Sequence, residues 1–261
     1  MQGMRLPGKM IAEKLIRTAA ALLLSATGAW AMDSPAACRE IPFEGIRHSV
    51  CEVSAGADLR LFLRDESGAT LGSFSRIDQI LAPEGQALRF AMNAGMYHSD
   101  RSPVGLHIED GHEIAPIVTA SGPGNFGMTP NGVFCVAPGG DFQIYESRSF
   151  AKTRPECRFA TQSGPLLLID GALHPRFLAD STSRYTRNGV GVSADGSRAY
   201  FVISGGRVSF HQFARFFRDA LGLQQALYFD GNISRLYAPD LGRNDFGFTM
   251  GPVIGLVGPG R

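Results

Sequence analysis

A chain of 261 residues with 44% hydrophobic and 19% charged residues is long enough for a well-packed domain and too apolar for intrinsic disorder. Its formal charge of +1, without a basic run or a basic amphipathic helix, leaves no electrostatic case for nucleic acid or an anionic membrane as partner. The 32 glycines and 15 prolines point to strands and turns rather than a helical bundle.

The N-terminus differs from the rest. Arg5, Lys9, Lys14 and Arg17 precede the short apolar run Ala19–Leu24, and Ala29-Trp30-Ala31 offers a small-x-small cleavage pattern. The run is too short to span a bilayer comfortably, so residues 1–31 are expected to be a signal peptide and residues 32–261 one domain. An uncleaved anchor is the alternative. Removing residues 1–31 takes away those four positive charges and Glu13, moving the net charge from +1 to −2. A periplasmic or secreted chain without stable membrane insertion is expected. Cys38, Cys51, Cys135 and Cys157 all follow the cleavage point, an even number that suits two disulfides in an exported chain. Proximity favours Cys38–Cys51 and Cys135–Cys157, with the other connectivities open.

In chain order, Phe74–Leu81 has the spacing of a short helix. Gly105–Glu109 meets the turn Asp110-Gly111 and returns as His112–Ile117. Asn131–Val136 turns at Pro138-Gly139-Gly140 into Asp141–Tyr145. Leu166–Ile169 meets Asp170-Gly171, and Gly189–Ser193 passes through Asp195-Gly196 into Ala199–Ile203. Asp-Gly supplies the positive φ angles of tight hairpins. Ser209 is a candidate N-cap for a helix with Phe210, Phe213, Phe217 and Leu221 on one face, stopped at Gly222. That helix joins strands Tyr200–Ser204 and Ala226–Phe229, and Phe213, Phe216 and Phe217 read as core rather than a ligand platform. The expected class is α+β, a single domain with a large mixed sheet, several hairpins and a few packed helices.

No Walker loop, Gly-x-Ser-x-Gly elbow or zincin motif is present, and no cofactor is expected; the metal requirement stays open. The loop Ser121–Gly127 resembles a phosphate cradle only loosely and reads as a plain loop. Four clusters place polar residues at strand ends, where a rigid backbone presents an accessible tip. They are Phe90–His98, Ala160–Pro165, Ser181–Gly189 and Leu227–Ser234. A fourth Asp-Gly turn at Asp230-Gly231 is the bland alternative to an acid placed for chemistry.

Asn93-Ala94-Gly95-Met96-Tyr97, Thr161–Pro165, Arg187–Val192 and Asp230–Tyr237 follow one another in an order that resembles the phosphodiester glycosidase domain family, including the catalytic domain of the lysosomal uncovering enzyme. The resemblance runs from about Phe43 to Val257 and is strongest to small periplasmic bacterial members. It implies hydrolysis of the glycosyl bond of a sugar-1-phosphodiester in the cell envelope. Arg187 would grip phosphate, and Asp230 would face the anomeric carbon as base or nucleophile. Asn93 completes the catalytic candidates. Gly95, His98, Ser163, Gly164, Asn188, Gly231, Asn232 and Ser234 are candidates for contacting substrate, with a structural His98 as the plainer reading. Animal members carry a glycine-rich Asp-Gly-Gly-Gly-Ser where this chain has Asp230-Gly231-Asn232-Ile233-Ser234, so sugar specificity does not transfer. The alternative from another class is a non-catalytic carbohydrate- or envelope-binding module on the same fold.

Overall fold

The computed structural model describes residues 36–231 and 233–260; residues 1–31, expected as a signal peptide, and Asn232 lie outside them. In chain order the first strands are β1 (Ala36–Phe43), β2 (Ile46–Ser54), β3 (Leu59–Phe62), β4 (Gln86–Asn93), β5 (His107–Glu109), β6 (His112–Ala115), β7 (Gly132–Val136) and β8 (Phe142–Glu146). Next come β9 (Phe159–Ser163), β10 (Leu166–Ile169), β11 (Ala172–Leu173), β12 (Asn188–Val192), β13 (Arg198–Ser204) and β14 (Gln225–Asp230). The last are β15 (Leu236–Ala238), β16 (Arg243–Asn244) and β17 (Val253–Pro259). Helices α1 (Phe74–Leu81), α2 (Ser147–Thr153) and α3 (Phe210–Arg215) complete the α+β domain.

The large sheet expected from the sequence is seven-stranded, in the order β1-β2-β13-β12-β14-β10-β11; it was expected to be mixed, and its neighbouring strands all pair antiparallel. Two five-stranded sheets accompany it, β16-β15-β4-β17-β3 and β6-β5-β9-β7-β8. Within each sheet, the neighbouring strands pair antiparallel. β13 and β14 both run antiparallel to the strand between them, β12, and are therefore parallel to each other. Two parallel strands need a crossover, and α3 with its following turn provides it.

The hairpins form where Asp-Gly stands. Asp110 (φ 47°) with Gly111 (φ 81°) joins β5 to β6, and Asp170 (φ 49°) with Gly171 (φ 80°) joins β10 to β11. Both central residues have positive φ, the geometry whose twist matches the flanking strands. Helix α1 has the bounds read from the sequence, with the Ser73 hydroxyl accepting from the Arg76 N–H. Helix α3 starts with a capping box, Ser209 and Gln212 satisfying each other's backbone N–H. The chain then widens to a π-turn at Phe216–Ala220 and stops before Gly222, whose φ is +67°.

The three sheets share one core. It takes Phe201 and Phe229 from the first sheet, Phe90 and Leu256 from the second, and Phe134 and Phe159 from the third. The Phe201 ring lies 5.0 Å from that of Phe90, tilted, and 5.7 Å from that of Phe134, edge to face, centre to centre. On the other face of the seven-stranded sheet, Phe213, Phe216 and Phe217 pack against Leu168, Val202 and Tyr228, so they are core as expected. Burying each such ring contributes about 1.5–3 kcal/mol. Disulfides join Cys38 to Cys51 and Cys135 to Cys157, the pairing that proximity favoured.

Candidate active site

Register brings the sequence motifs together. In the β12–β14 pair, Asn188 lies opposite Asp230, so the start of one strand and the end of the other share an edge. Arg187, one residue before β12, is therefore held on the same rim as Asp230. The second sheet ends β4 at Asn93, and the third ends β9 at Ser163. Hydrogen bonds tie these ends into one cluster. The Asn93 amide donates to Asn188 Oδ1 at 3.2 Å, and the Asn188 amide returns a bond to the Asn93 carbonyl at 2.8 Å. Asn93 Oδ1 accepts the Arg235 N–H at 2.9 Å, and the Ser163 hydroxyl donates to the Phe229 carbonyl at 2.9 Å. Ser234 Oγ lies 3.0 Å from both the Thr186 and Asp230 carbonyls. Four motifs from three sheets thus brace one strand end.

Above that brace lies a cavity of about 520 Å³, lined by Met96, Tyr97, Val104, Gly124, Asn125, Ser183, Tyr185, Arg187, Tyr228, Asp230, Gly231 and Ile233. Three of the expected residues, Arg187, Asp230 and Gly231, line it. Asn93, Ser163 and Asn188 lie buried beneath it, their amides and hydroxyl turned into the brace. Gly95 also belongs to the support, its N–H donated to Thr161 Oγ1 at 3.2 Å, and buried Gly164 precedes the cis Pro165. Ser234 is half-buried behind Asp230. His98 stands exposed beyond Tyr97, outside the cavity lining, with its N–H on the Ser102 carbonyl. Asn232 lies outside the described residues.

Arg187 is only 1% exposed although it carries a full charge. Its Nε donates to the Val208 carbonyl at 3.0 Å, Nη1 to the Tyr228 hydroxyl at 3.2 Å and Nη2 to the Ser183 carbonyl at 3.3 Å. The guanidinium carbon sits 3.6 Å above the Phe210 ring. Burial lowers its pKa from the ordinary arginine value, yet a guanidinium remains charged in any physiological range. Three neutral oxygens and an aromatic face thus hold a cation away from water. A guanidinium has five N–H donors, so two lie beyond those three bonds.

Tyr228 was not among the site residues expected from the sequence. Its ring is fully buried in β14, its hydroxyl accepts from Arg187, and the Asn125 side chain lies beside it. Burial drives its pKa up, with Asp230 adding to the rise against the opposing pull of Arg187. The hydroxyl therefore stays protonated at neutral pH. A Cβ at position 231 would fall on that hydroxyl, which explains why glycine follows Asp230. Gly231 donates its N–H to Asp230 Oδ1 at 2.6 Å, fixing the carboxylate at the rim. Tyr97 and Tyr185 complete the aromatic wall, and burial together with the Asp230 charge raises the Tyr97 pKa. Asn125 belongs to the glycine-rich loop that reads as a plain connection in the sequence; the loop borders the site. Among the described residues, no group of three His, Cys, Asp or Glu side chains is placed to hold a metal.

A family model described as phosphodiester glycosidase matches residues 86–249, which include every one of these lining residues. The chain belongs to the phosphodiester glycosidase family. A relative, the uncharacterized protein YigE of Escherichia coli strain K12, is 36% identical over 179 residues, 69% of each chain. The domain is also similar in fold to the catalytic domain of zebrafish N-acetylglucosamine-1-phosphodiester alpha-N-acetylglucosaminidase, solved auto-inhibited by its pro-peptide. That match has a TM-score of 0.59 and 13% identity, and covers 86% of this chain and 84% of the other.

Proposed function

We propose that the chain hydrolyses the bond between the anomeric carbon and the phosphate oxygen of a sugar-1-phosphodiester. The observation that carries this reading is that a rim carboxylate, Asp230, and a desolvated guanidinium, Arg187, line one cavity. A phosphate leaves as a stable anion, so offsetting its charge matters more than protonating it. Arg187 supplies a fixed positive charge that water screens weakly. Tyr228, protonated and accepting from Arg187, holds the guanidinium in place beside the phosphate. Asp230 faces the anomeric carbon as nucleophile or as base for a water, stabilising oxocarbenium character. Asn93, Ser163 and Asn188 act through the backbone they brace and are positioning residues. The test is turnover by purified protein of a panel of hexose 1-phosphodiesters beside the matching alkyl glycosides. Hydrolysis of the phosphodiesters alone supports the reading; binding of either class without hydrolysis makes the chain a carbohydrate-binding module.

The same reading includes export to the cell envelope, supported by the charged-then-apolar N-terminus and by two disulfides, which persist in oxidising compartments. Intact mass of envelope-purified protein is expected to show loss of residues 1–31. Full-length protein in the cytosol would contradict export.

A further inference from the structure

Phe246 and Phe248 are 95% and 80% exposed, the most exposed large apolar side chains among the described residues. They are not scattered on the surface. Both border a second cavity of about 380 Å³, lined also by Ile233, Ser234, Arg235, Asn244 and Asp245. Ile233 lines the Asp230 cavity as well, so the two cavities are neighbours along one surface.

The loop that carries the rings is built to present them. Gly247 has φ 147°, a conformation closed to other residues, and a Cβ there would lie 2.5–2.9 Å from the Arg235 guanidinium. Glycine lets the backbone rest directly on that side chain. Arg235 Nη1 then donates to the Phe248 carbonyl at 2.5 Å and ties the loop down. The rings project from an anchored backbone.

The chemistry of the occupant follows from which groups are already paired. The Asp245 carboxylate accepts the Leu236 N–H at 3.0 Å and two Arg243 nitrogens at 2.8 and 3.0 Å. Ser234 is bonded to the Thr186 and Asp230 carbonyls, and Arg235 to Phe248. Asn244 is exposed to water. Apart from the exposed Asn244 amide and the remaining Arg235 donors, the hydrogen-bonding groups of this lining are engaged with the protein itself. Two phenylalanine rings, by contrast, gain by leaving water.

We propose that this second cavity is the leaving-group subsite and that it takes a hydrocarbon chain attached to the phosphate. The inference rests on the Asp230 cavity being the reaction centre, and it names the substrate class: a sugar phosphodiester of a long-chain alcohol. The chain runs from the phosphate past Ile233 and lies against Phe246 and Phe248.

The experiment compares kcat/KM for methyl, octyl and hexosyl phosphodiesters of glucose, galactose and N-acetylglucosamine in the parent and in the double variant Phe246→Ala/Phe248→Ala. The parent is expected to favour octyl over methyl at least tenfold. The variant is expected to lose that preference and keep the parent's rate on methyl and its melting temperature. An equal loss on methyl and octyl, or a loss on hexosyl as large as on octyl, would overturn the proposal. So would an unchanged octyl preference accompanied by lost binding to phosphatidylglycerol vesicles, which would assign the rings to a membrane surface. If the parent hydrolyses no diester at all, the reading of the reaction centre fails. Octyl phosphate binding then judges the subsite alone: weaker binding by the variant supports it, and equal binding overturns it.

Discussion

Two of the cavities on this domain are of similar size, and only one of the two has the makings of a reaction centre. The larger, about 570 Å³, lies beside Cys157 and is lined by Asp110, Glu113, Arg154 and Arg158 among others. Its charges pair across the surface, Arg154 with Glu113 at 3.2 Å and Arg158 with Asp110 at 2.9 Å, and all four side chains are at least 43% exposed. Water screens such pairs, and they do little beyond solvating the surface. The smaller cavity holds a guanidinium that is 1% exposed, a tyrosine hydroxyl made reluctant to ionise, and a carboxylate pinned by register. Volume does not separate the two. Charge withdrawn from water does, because only there is electrostatic stabilisation strong enough to change a rate.

The largest effect is expected at Asp230. Asp230→Asn keeps the shape and the Gly231 contact but removes the charge, so kcat is expected to fall on the order of 10²–10⁴-fold with the melting temperature unchanged. Activity equal to the parent would return Asp230 to the role of a turn residue, since Asn-Gly suits that geometry nearly as well. Arg187→Lys comes next. One ammonium cannot reach Val208, Tyr228 and Ser183 in the geometry of a planar fork. The expected loss in kcat/KM is about 2–4 kcal/mol, accompanied by lower thermal stability because a buried carbonyl loses its donor. The smallest effect is expected in the other cavity. Arg154→Ala should cost about 0.2–1 kcal/mol of stability by denaturant titration and nothing in kcat/KM. A large activity loss there would mean that the two cavities have been assigned the wrong way round.

Local chemistry made much of the fold legible in the sequence. The Asp110-Gly111 and Asp170-Gly171 hairpins, helix α1 and the Ser209 cap each depend on a few adjacent residues, and each formed as read. The division of the strands into three sheets was not legible, because it depends on pairings such as β4 with β17, separated by well over a hundred residues. The site divides the same way. Arg187 and Asp230 stood out because polar residues at strand ends are conspicuous, and they do share a cavity. Asn93 and Asn188 stood out for the same reason, yet their amides are turned inward toward each other. Composition cannot distinguish a polar side chain that faces substrate from one that holds a strand end. Tyr228 was hidden inside an apolar strand pattern, and Asn125 inside a glycine-rich loop; only the closed fold sets them beside Arg187.

A reaction centre built from Asp230 and Arg187 should break the bond on the sugar side of the phosphate. Hydrolysis of a sugar-1-phosphodiester in oxygen-18 water, followed by mass spectrometry of both products, tests it most directly. The label is expected on the anomeric carbon of the released sugar and none on phosphorus, with label incorporation slowed in Asp230→Asn. Label on phosphorus would identify a phosphodiesterase and contradict the roles given to Asp230 and Arg187.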